Sequence, residues 1–261
     1  MIPKAPLLKV QGLTKSYKSR GRWLNHFTLR ALDHVSFTLQ PQRVLAVTGG
    51  SGSGKTTLLR LLAGIDTPDS GKIELCALPK MKELPPRHHC IRMIFTTQNH
   101  GLNPLLCVGK NLEQPLLHTN IESAEQRHQQ ILEALSLVEL LPEHYDFYPH
   151  QLSLGERIRV AIARAIIVKP RLLLADDFLS HLDRTAQAQM VNLLLKLRLE
   201  LKLGLIICFS DIDLIRHLSD QLLIMHQGRI IEKGSSQKIL AKPKHPISQR
   251  LIDSFYNEFR L

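Results

Sequence analysis

A chain of 261 residues with a formal net charge of +11, 44% hydrophobic and 5% aromatic residues can bury a substantial core and needs no disulfide scaffold. Its four cysteines, Cys76, Cys90, Cys107 and Cys208, contain no CxxC pair, which argues against a redox or zinc site and fits a reducing compartment. The N-terminal MIPKAPLLKV lacks a leader's basic segment and apolar core, and no run approaches the ~18 apolar residues of a membrane span. A soluble chain is therefore expected. Its basic charge either spreads as a diffuse solvated shell or draws the chain to an anionic surface, nucleic acid or the inner face of a membrane.

Taken in order, LLKVQGL and VSFTLQ predict two early antiparallel strands, and RVLAVTG predicts a buried strand. GGSGSGKTT follows, made of Gly49, Gly50, Ser51, Gly52, Ser53, Gly54, Lys55, Thr56 and Thr57. It fits G-x-x-x-x-G-K-[ST] through Gly49, Gly54, Lys55 and Thr56, and it stands between that strand and a helix marked by Leu58, Leu59, Leu61 and Leu62. Glycines let such a loop curl so that backbone N–H groups face a β-phosphate. Lys55 brings a positive charge to the β and γ oxygens, and the Thr56 hydroxyl is a ligand for Mg²⁺.

Further core strands are expected at IRMIF, RLLLA and LGLIICF. Between Leu102 and about Val168 the pattern turns helical, with a break at Pro142 and a new helix opening at LSLGERIRVAIARAIIV. A helical insertion over 102–168 inside a domain of residues 1–241 is the expected organisation, with a short helical extension at 242–261 after the KPKHP break. His88, His89 and His100 are close in sequence but lack metal-ligand spacing, so solvated histidines are the better reading.

In LLLADDFLSHLD, the strand at Leu172 runs into Asp176 and Asp177. Alone, the two acids read as a helix N-cap. Beside a phosphate loop the better reading gives Asp176 to Mg²⁺ and stands Asp177 next to an attacking water. LSLGE likewise reads alone as a helix start, with Ser153 capping and Glu156 three residues later.

YPHQLSLGERIRVAIARAIIVKPRLLLADDFLSHLD resembles the ATPase subunits of ABC transporters, and IFTTQNHGLNP, HLSDQLLIMHQGRIIEKG and the KPKHP tail are similar to the peptide and nickel importer branch. The resemblance covers nearly the whole chain. It implies an α/β fold, a P-loop NTPase of the ABC ATPase type with an antiparallel β subdomain and a helical insertion subdomain. It also implies ATP and Mg²⁺ as cofactors, with Tyr17 of LTKSY stacking on adenine, Gly49 to Thr57 holding phosphates, and Asp176 binding Mg²⁺ through water. Asp183 would lie at a dimer interface, while Ser153 and Gly155 would close over the ATP of the opposing subunit.

Four departures from the family pattern alter what is expected. Asp177 stands where Glu is usual, the signature reads LSLGE rather than LSGGQ, Thr96 replaces a glutamine with Gln98 two positions later, and Ser210 replaces a switch histidine before Asp211. The binding loop is intact whereas Asp177, Ser210, Thr96 and Gln98, the positions of the catalytic apparatus, are changed. Firm ATP binding with slow hydrolysis is expected, beside a more complete second ATPase in a heterodimer. A nucleotide-binding clamp without turnover is the alternative, and a soluble ABC ATPase acting on DNA or ribosomes is a third reading. The resemblance further implies two membrane-spanning permease subunits as partners, a periplasmic or extracellular solute-binding protein acting indirectly, uptake of peptide-like solutes, and a peripheral place on the cytoplasmic face of the inner membrane. No nucleic acid partner is expected. Thr96 to about Leu117 would dock on the permeases, although GLNPLLCVGKNLEQPLL reads equally well as packing inside the helical insertion.

Overall fold

The computed structural model describes residues 5–20, 26–76, 90–95, 101–119, 123–209 and 211–258. In chain order its elements are β1 (Leu8–Arg20), β2 (His26–Leu39), β3 (Val44–Thr48), α1 (Lys55–Ala63), β4 (Ser70–Leu75), β5 (Ile91–Ile94), α2 (Val108–Glu113), α3 (Ala124–Leu137), α4 (Leu154–Ile166), β6 (Leu172–Asp176), α5 (Arg184–Glu200), β7 (Gly204–Cys208), α6 (Ile212–Leu218), β8 (Gln221–His226), β9 (Arg229–Ser235), α7 (Ser236–Ala241) and α8 (Pro246–Glu258). They fall into two compact units, Met1–His88 with Gly204–Leu261, and His89–Leu203.

In the first unit β1 is the middle strand of an antiparallel sheet ordered β2-β1-β4. Both early strands run further than their apolar cores suggest, because the β1–β2 ladder continues outward through register shifts near Leu13 and Lys15. Such shifts strengthen local twist and re-aim side chains. A second, mainly parallel set places β3 between β7 and β8, with β9 antiparallel to β8. All five residues of β3 are buried, as expected of a strand paired on both edges and covered on both faces. The turn from β8 to β9 uses Gln227 and Gly228 at φ 46 and 76, the left-handed pair that matches the twist of a tight hairpin. Gly64, at φ 78, ends α1 and leaves Leu58, Leu59, Leu61 and Leu62 facing inward.

The second unit pairs β5 and β6 in parallel, Ile91 opposite Leu172 through Ile94 opposite Ala175. Helix α4 buries Ile158, Ile162 and Ile166 along one face and Val160 on another. Asn111 of α2 is 2% exposed; its amide donates to the carbonyls of Asn103, Leu106 and Cys107 and accepts from the Asn103 N–H, which fixes the loop before the helix. Within 101–119, Leu102, Val108, Leu112 and Leu116 are buried while Leu105 and Leu117 are exposed. The apolar segment thus divides between packing and surface.

Strands β4, β8 and β9 were not anticipated. β4 is mostly exposed, and its apolar alternation is only the two half-buried residues Ile73 and Leu75, too short to stand out in the sequence. β8 and β9 form a hairpin whose apolar run, QLLIMH, precedes a Gln-Gly turn. The terminal helix expected after KPKHP is α8.

Candidate functional site

The phosphate loop leaves β3 at Thr48 and enters α1 at Lys55. Gly49 lies at φ 147, and a Cβ there would stand 2.1 Å from the Met225 carbonyl oxygen. Gly54, at φ 102, would bring a Cβ to 2.4 Å from the Ala31 oxygen. Glycine is required at both positions by contact as well as conformation. Gly49→Ala is accordingly expected to destabilise the chain by about 3 kcal/mol, read as a lowered denaturant midpoint; an unchanged midpoint would mean that Met225 yields freely.

Backbone bonds fix the loop from outside. Gly228 N–H donates to the Ser53 carbonyl at 3.1 Å, and Asp33 N–H donates to the Gly228 carbonyl at 2.9 Å. The β8–β9 hairpin is thereby threaded between strand β2 and the loop. Lys55 Nζ donates to the Gly49 and Gly50 carbonyls at 2.7 and 3.0 Å, so its charge is held over the loop and no carboxylate neutralises it among the described residues. Ser53 is buried, while Gly50, Ser51, Gly52 and Thr56 are exposed and Thr57 is half-buried.

The loop opens on a cavity of 370 Å³ lined by residues 52–57, Tyr17, Leu29, Arg30, Ala31 and Gln227. Tyr17 and Leu29 are register partners across β1 and β2, and both expose apolar surface, 37% and 67%. They form a flat apolar wall at one end. The other end carries backbone donors and Lys55, a combination suited to a molecule with an aromatic base and an anionic tail. A larger hollow of 520 Å³ over Asp33, Arg229 and Glu232 has no glycine-rich loop.

Tyr17 is positioned from below. Its hydroxyl donates to Asp66 Oδ2 at 2.9 Å, and Arg60 grips the same carboxylate through Nε at 2.8 Å and Nη2 at 3.2 Å. Burial first, with Asp66 contributing, pushes the Tyr17 hydroxyl above its ordinary range, although a bond to Thr57 opposes this. Arg60 first, then Tyr17, hold the Asp66 carboxyl below the usual carboxylate range. A depressed folded value means that this contribution to stability is complete above the unfolded value near ~3.9 and is lost as pH falls through the folded value. Asp66→Asn is expected to flatten the acid side of the stability profile, and to loosen Tyr17 enough to weaken nucleotide binding several-fold. Denaturant midpoints near neutral pH and below about pH 4, with nucleotide titrations, check both.

In the second unit Asp176 is the last residue of β6. Asp177 follows at φ 42, a left-handed conformation that Asp tolerates better than most residues, and its carbonyl accepts from Ser180 Oγ at 3.0 Å. Neither acid caps a helix. Asp183 does, accepting from Ala186 N–H at 2.9 Å at the start of α5. Ser153 caps α4 in a reciprocal box, with Glu156 Oε2 accepting from the Ser153 N–H at 2.8 Å and from its hydroxyl at 2.7 Å. Those Ser153 bonds first, and His144 Nε2 at 3.4 Å from Glu156 Oε1 after them, keep the Glu156 carboxyl low. The acid at the end of the signature is thus tied to its own helix start and lies beside a histidine. Gly155 has open space around its Cα. Thr96, Gln98 and Ser210, with His88, His89 and His100, lie outside the described residues. Among the described residues no cluster of His, Cys, Asp and Glu could itself hold a metal, and no helix is long and apolar enough to cross a membrane.

Sequence reasoning missed Leu29, Arg30 and Gln227 in the cavity and Asp66 beneath Tyr17. Their signal is cross-strand register and chain return, which no local motif carries.

A family profile described as ABC transporter matches residues 32–180. The putrescine export system ATP-binding protein SapF of Escherichia coli K12 is 39% identical over 254 residues, covering 97% of this chain and 94% of that protein. The peptide transport system ATP-binding protein SapF of Salmonella typhimurium LT2 matches to the same extent, and the dipeptide transport ATP-binding protein DppF of Escherichia coli K12 is 38% identical, covering 95% and 76%. Among solved structures, the dimeric ATP-binding cassette MJ0796 in a post-hydrolysis state with ADP and Pi superposes with a TM-score of 0.73 at 28% identity, covering 88% of this chain and 98% of that one. CbiO1 of Clostridium perfringens shares the fold, with a TM-score of 0.76 at 24% identity over 91% of both chains.

Proposed function

The chain belongs to the ABC transporter family, and from that premise we propose that it is the ATP-binding subunit of an importer of peptide-like solutes, working in a heterodimer with a more complete ATPase. The observation that carries the reading is the single cavity joining the apolar wall of Tyr17 and Leu29 to the loop of Gly49 to Thr57. The residues fit ATP and Mg²⁺: the loop offers backbone donors and Lys55, Thr56 is exposed in the first turn of α1, and Tyr17 is held for the base. When bound with Mg²⁺, the nucleotide supplies a phosphoanhydride whose cleavage resets the transporter.

The chain's own residues then have distinct tasks. Lys55, now on the Gly49 and Gly50 carbonyls, would turn to the phosphates, Thr56 and Asp176 would be the protein ligands of Mg²⁺, and Tyr17 would orient the base. Asp177 takes the place of the carboxylate that orients water, one methylene shorter than the family's Glu. Misplacement on the order of 1 Å costs up to ~10²-fold, which supports reduced turnover. Ser153 and Gly155 serve the partner's nucleotide, and Ser210, Thr96 and Gln98 fill the remaining positions around the γ-phosphate. Two permeases form the membrane path, a solute-binding protein delivers cargo, and this subunit sits peripherally on the inner face.

A second reading is a nucleotide clamp that leaves chemistry to the partner, favoured by Asp177 and by Leu154 and Glu156 in the signature. Relatives that match to the same extent bear names for peptide transport and for putrescine export. The deciding experiment measures ATP turnover of the chain alone and mixed with its partner ATPase, each with and without Asp177→Asn, then uptake of labelled peptide or putrescine by the reconstituted complex. Asp177-dependent turnover with peptide uptake supports the proposal. ATP binding with turnover indifferent to Asp177→Asn supports the clamp, and putrescine efflux would reassign cargo and direction.

A further inference from the structure

Three consecutive residues of β2 run along the nucleotide cavity. Leu29 pairs with Tyr17 in the apolar wall, and Ala31 sets its carbonyl against Gly54 at the start of α1. Arg30 lies on the strand between them and lines the same cavity. A nucleotide laid from a base on that wall to a β-phosphate in the loop would place its ribose and α-phosphate at this middle position. We propose that Arg30 is a nucleotide-contacting residue, its guanidinium donating to the α-phosphate. The inference rests on the nucleotide reading of the cavity and adds a residue to it.

The charge and exposure of Arg30 suit the role. Among the described residues, Arg30 and Lys55 are the only lysine or arginine lining the cavity, and Lys55 is held at the Gly49 end of the loop. Arg30 donates to Oδ1 of the buried Asp33 at 3.2 Å, while its own side chain is 60% exposed. Asp33 does not depend on it. The same oxygen faces His34 Nδ1 at 2.8 Å, and Oδ2 accepts from Arg229 Nε at 2.6 Å, so the buried carboxylate keeps partners when Arg30 turns toward the cavity. On the far side, Gln227 lines both this cavity and a second one shared with Arg30. Arg30 thus borders both cavities.

The test is calorimetric titration of wild type, Arg30→Ala and Arg30→Gln with ATP and with ADP, at low and raised salt. The loss of one charge-assisted hydrogen bond at a half-open site should weaken both nucleotides about tenfold and equally in Arg30→Ala, less so in Arg30→Gln, with the gap to wild type narrowing in salt. Thermal unfolding of each variant confirms that it is folded, and Arg30→Gln serves if Arg30→Ala is not. Equal affinities in wild type and folded variants overturn the proposal, as does a loss confined to ATP, which would move the contact to the γ-phosphate. A wild type that binds neither nucleotide overturns the reading of the cavity itself.

Discussion

Lys55→Ala is expected to lower ATP turnover by about 10²- to 10³-fold, the scale of removing one preorganised electrostatic donor, and to weaken ATP binding with it. The side chain is held to the Gly49 and Gly50 carbonyls, so its charge stands beside the loop before any ligand arrives and has only to turn from those carbonyls on binding. No carboxylate pairs with it among the described residues, so its field is spent on the ligand. Truncation leaves the loop's backbone donors in place, because these depend on Gly49, Gly54 and the Gly228 bond rather than on the Lys55 stem. Titration should therefore show a folded protein with weak nucleotide affinity. Wild-type affinity in Lys55→Ala would remove the phosphate role from this lysine.

Asp177 gives the second large effect, and here the direction of change is informative. Asp177→Asn should reduce turnover about 10²-fold if the carboxylate handles water, whereas Asp177→Glu should raise it by tenfold or more as the added methylene restores reach. The structure sets a counterweight. Asp177 sits at φ 42, where Asp is tolerated through its short polar side chain and Glu is less at ease. Backbone strain at one residue is on the order of 1–3 kcal/mol, so Asp177→Glu should lose some stability while gaining rate. Single-turnover measurements alongside denaturant midpoints separate the two. A rate that falls in Asp177→Glu would show that the surrounding loop is built for the shorter acid.

The phosphate loop was legible because its requirements are local: a buried strand, glycines at fixed spacing, then a helix with leucines on one face. Core strands β3, β6 and β7 were legible for a similar reason, since burial on both faces leaves continuous apolar runs. The rest of the cavity depends on distant partners. Tyr17 meets Leu29 only through a hairpin with shifted register, and it meets Asp66 through a bond spanning 49 positions. Asp33 reaches Arg229 across 196. No window of sequence contains both members of such a pair. Asp176 and Asp177 show the complementary case: two acids after a strand are compatible with a helix cap until the backbone is seen, and the cap proves to be Asp183.

Strand β3 carries the phosphate loop, yet both of its sheet neighbours, β7 and β8, come from the last quarter of the chain. The loop's outer brace, Gly228, comes later still. During synthesis, then, the nucleotide-binding motif emerges early and waits, complete in letters but without the walls that give it shape, until β7, β8 and Gly228 have followed it. A chain cut short before Gly228 would carry the full GGSGSGKTT and still lack the brace, so nucleotide competence doubles as a check that synthesis has passed the β8–β9 turn.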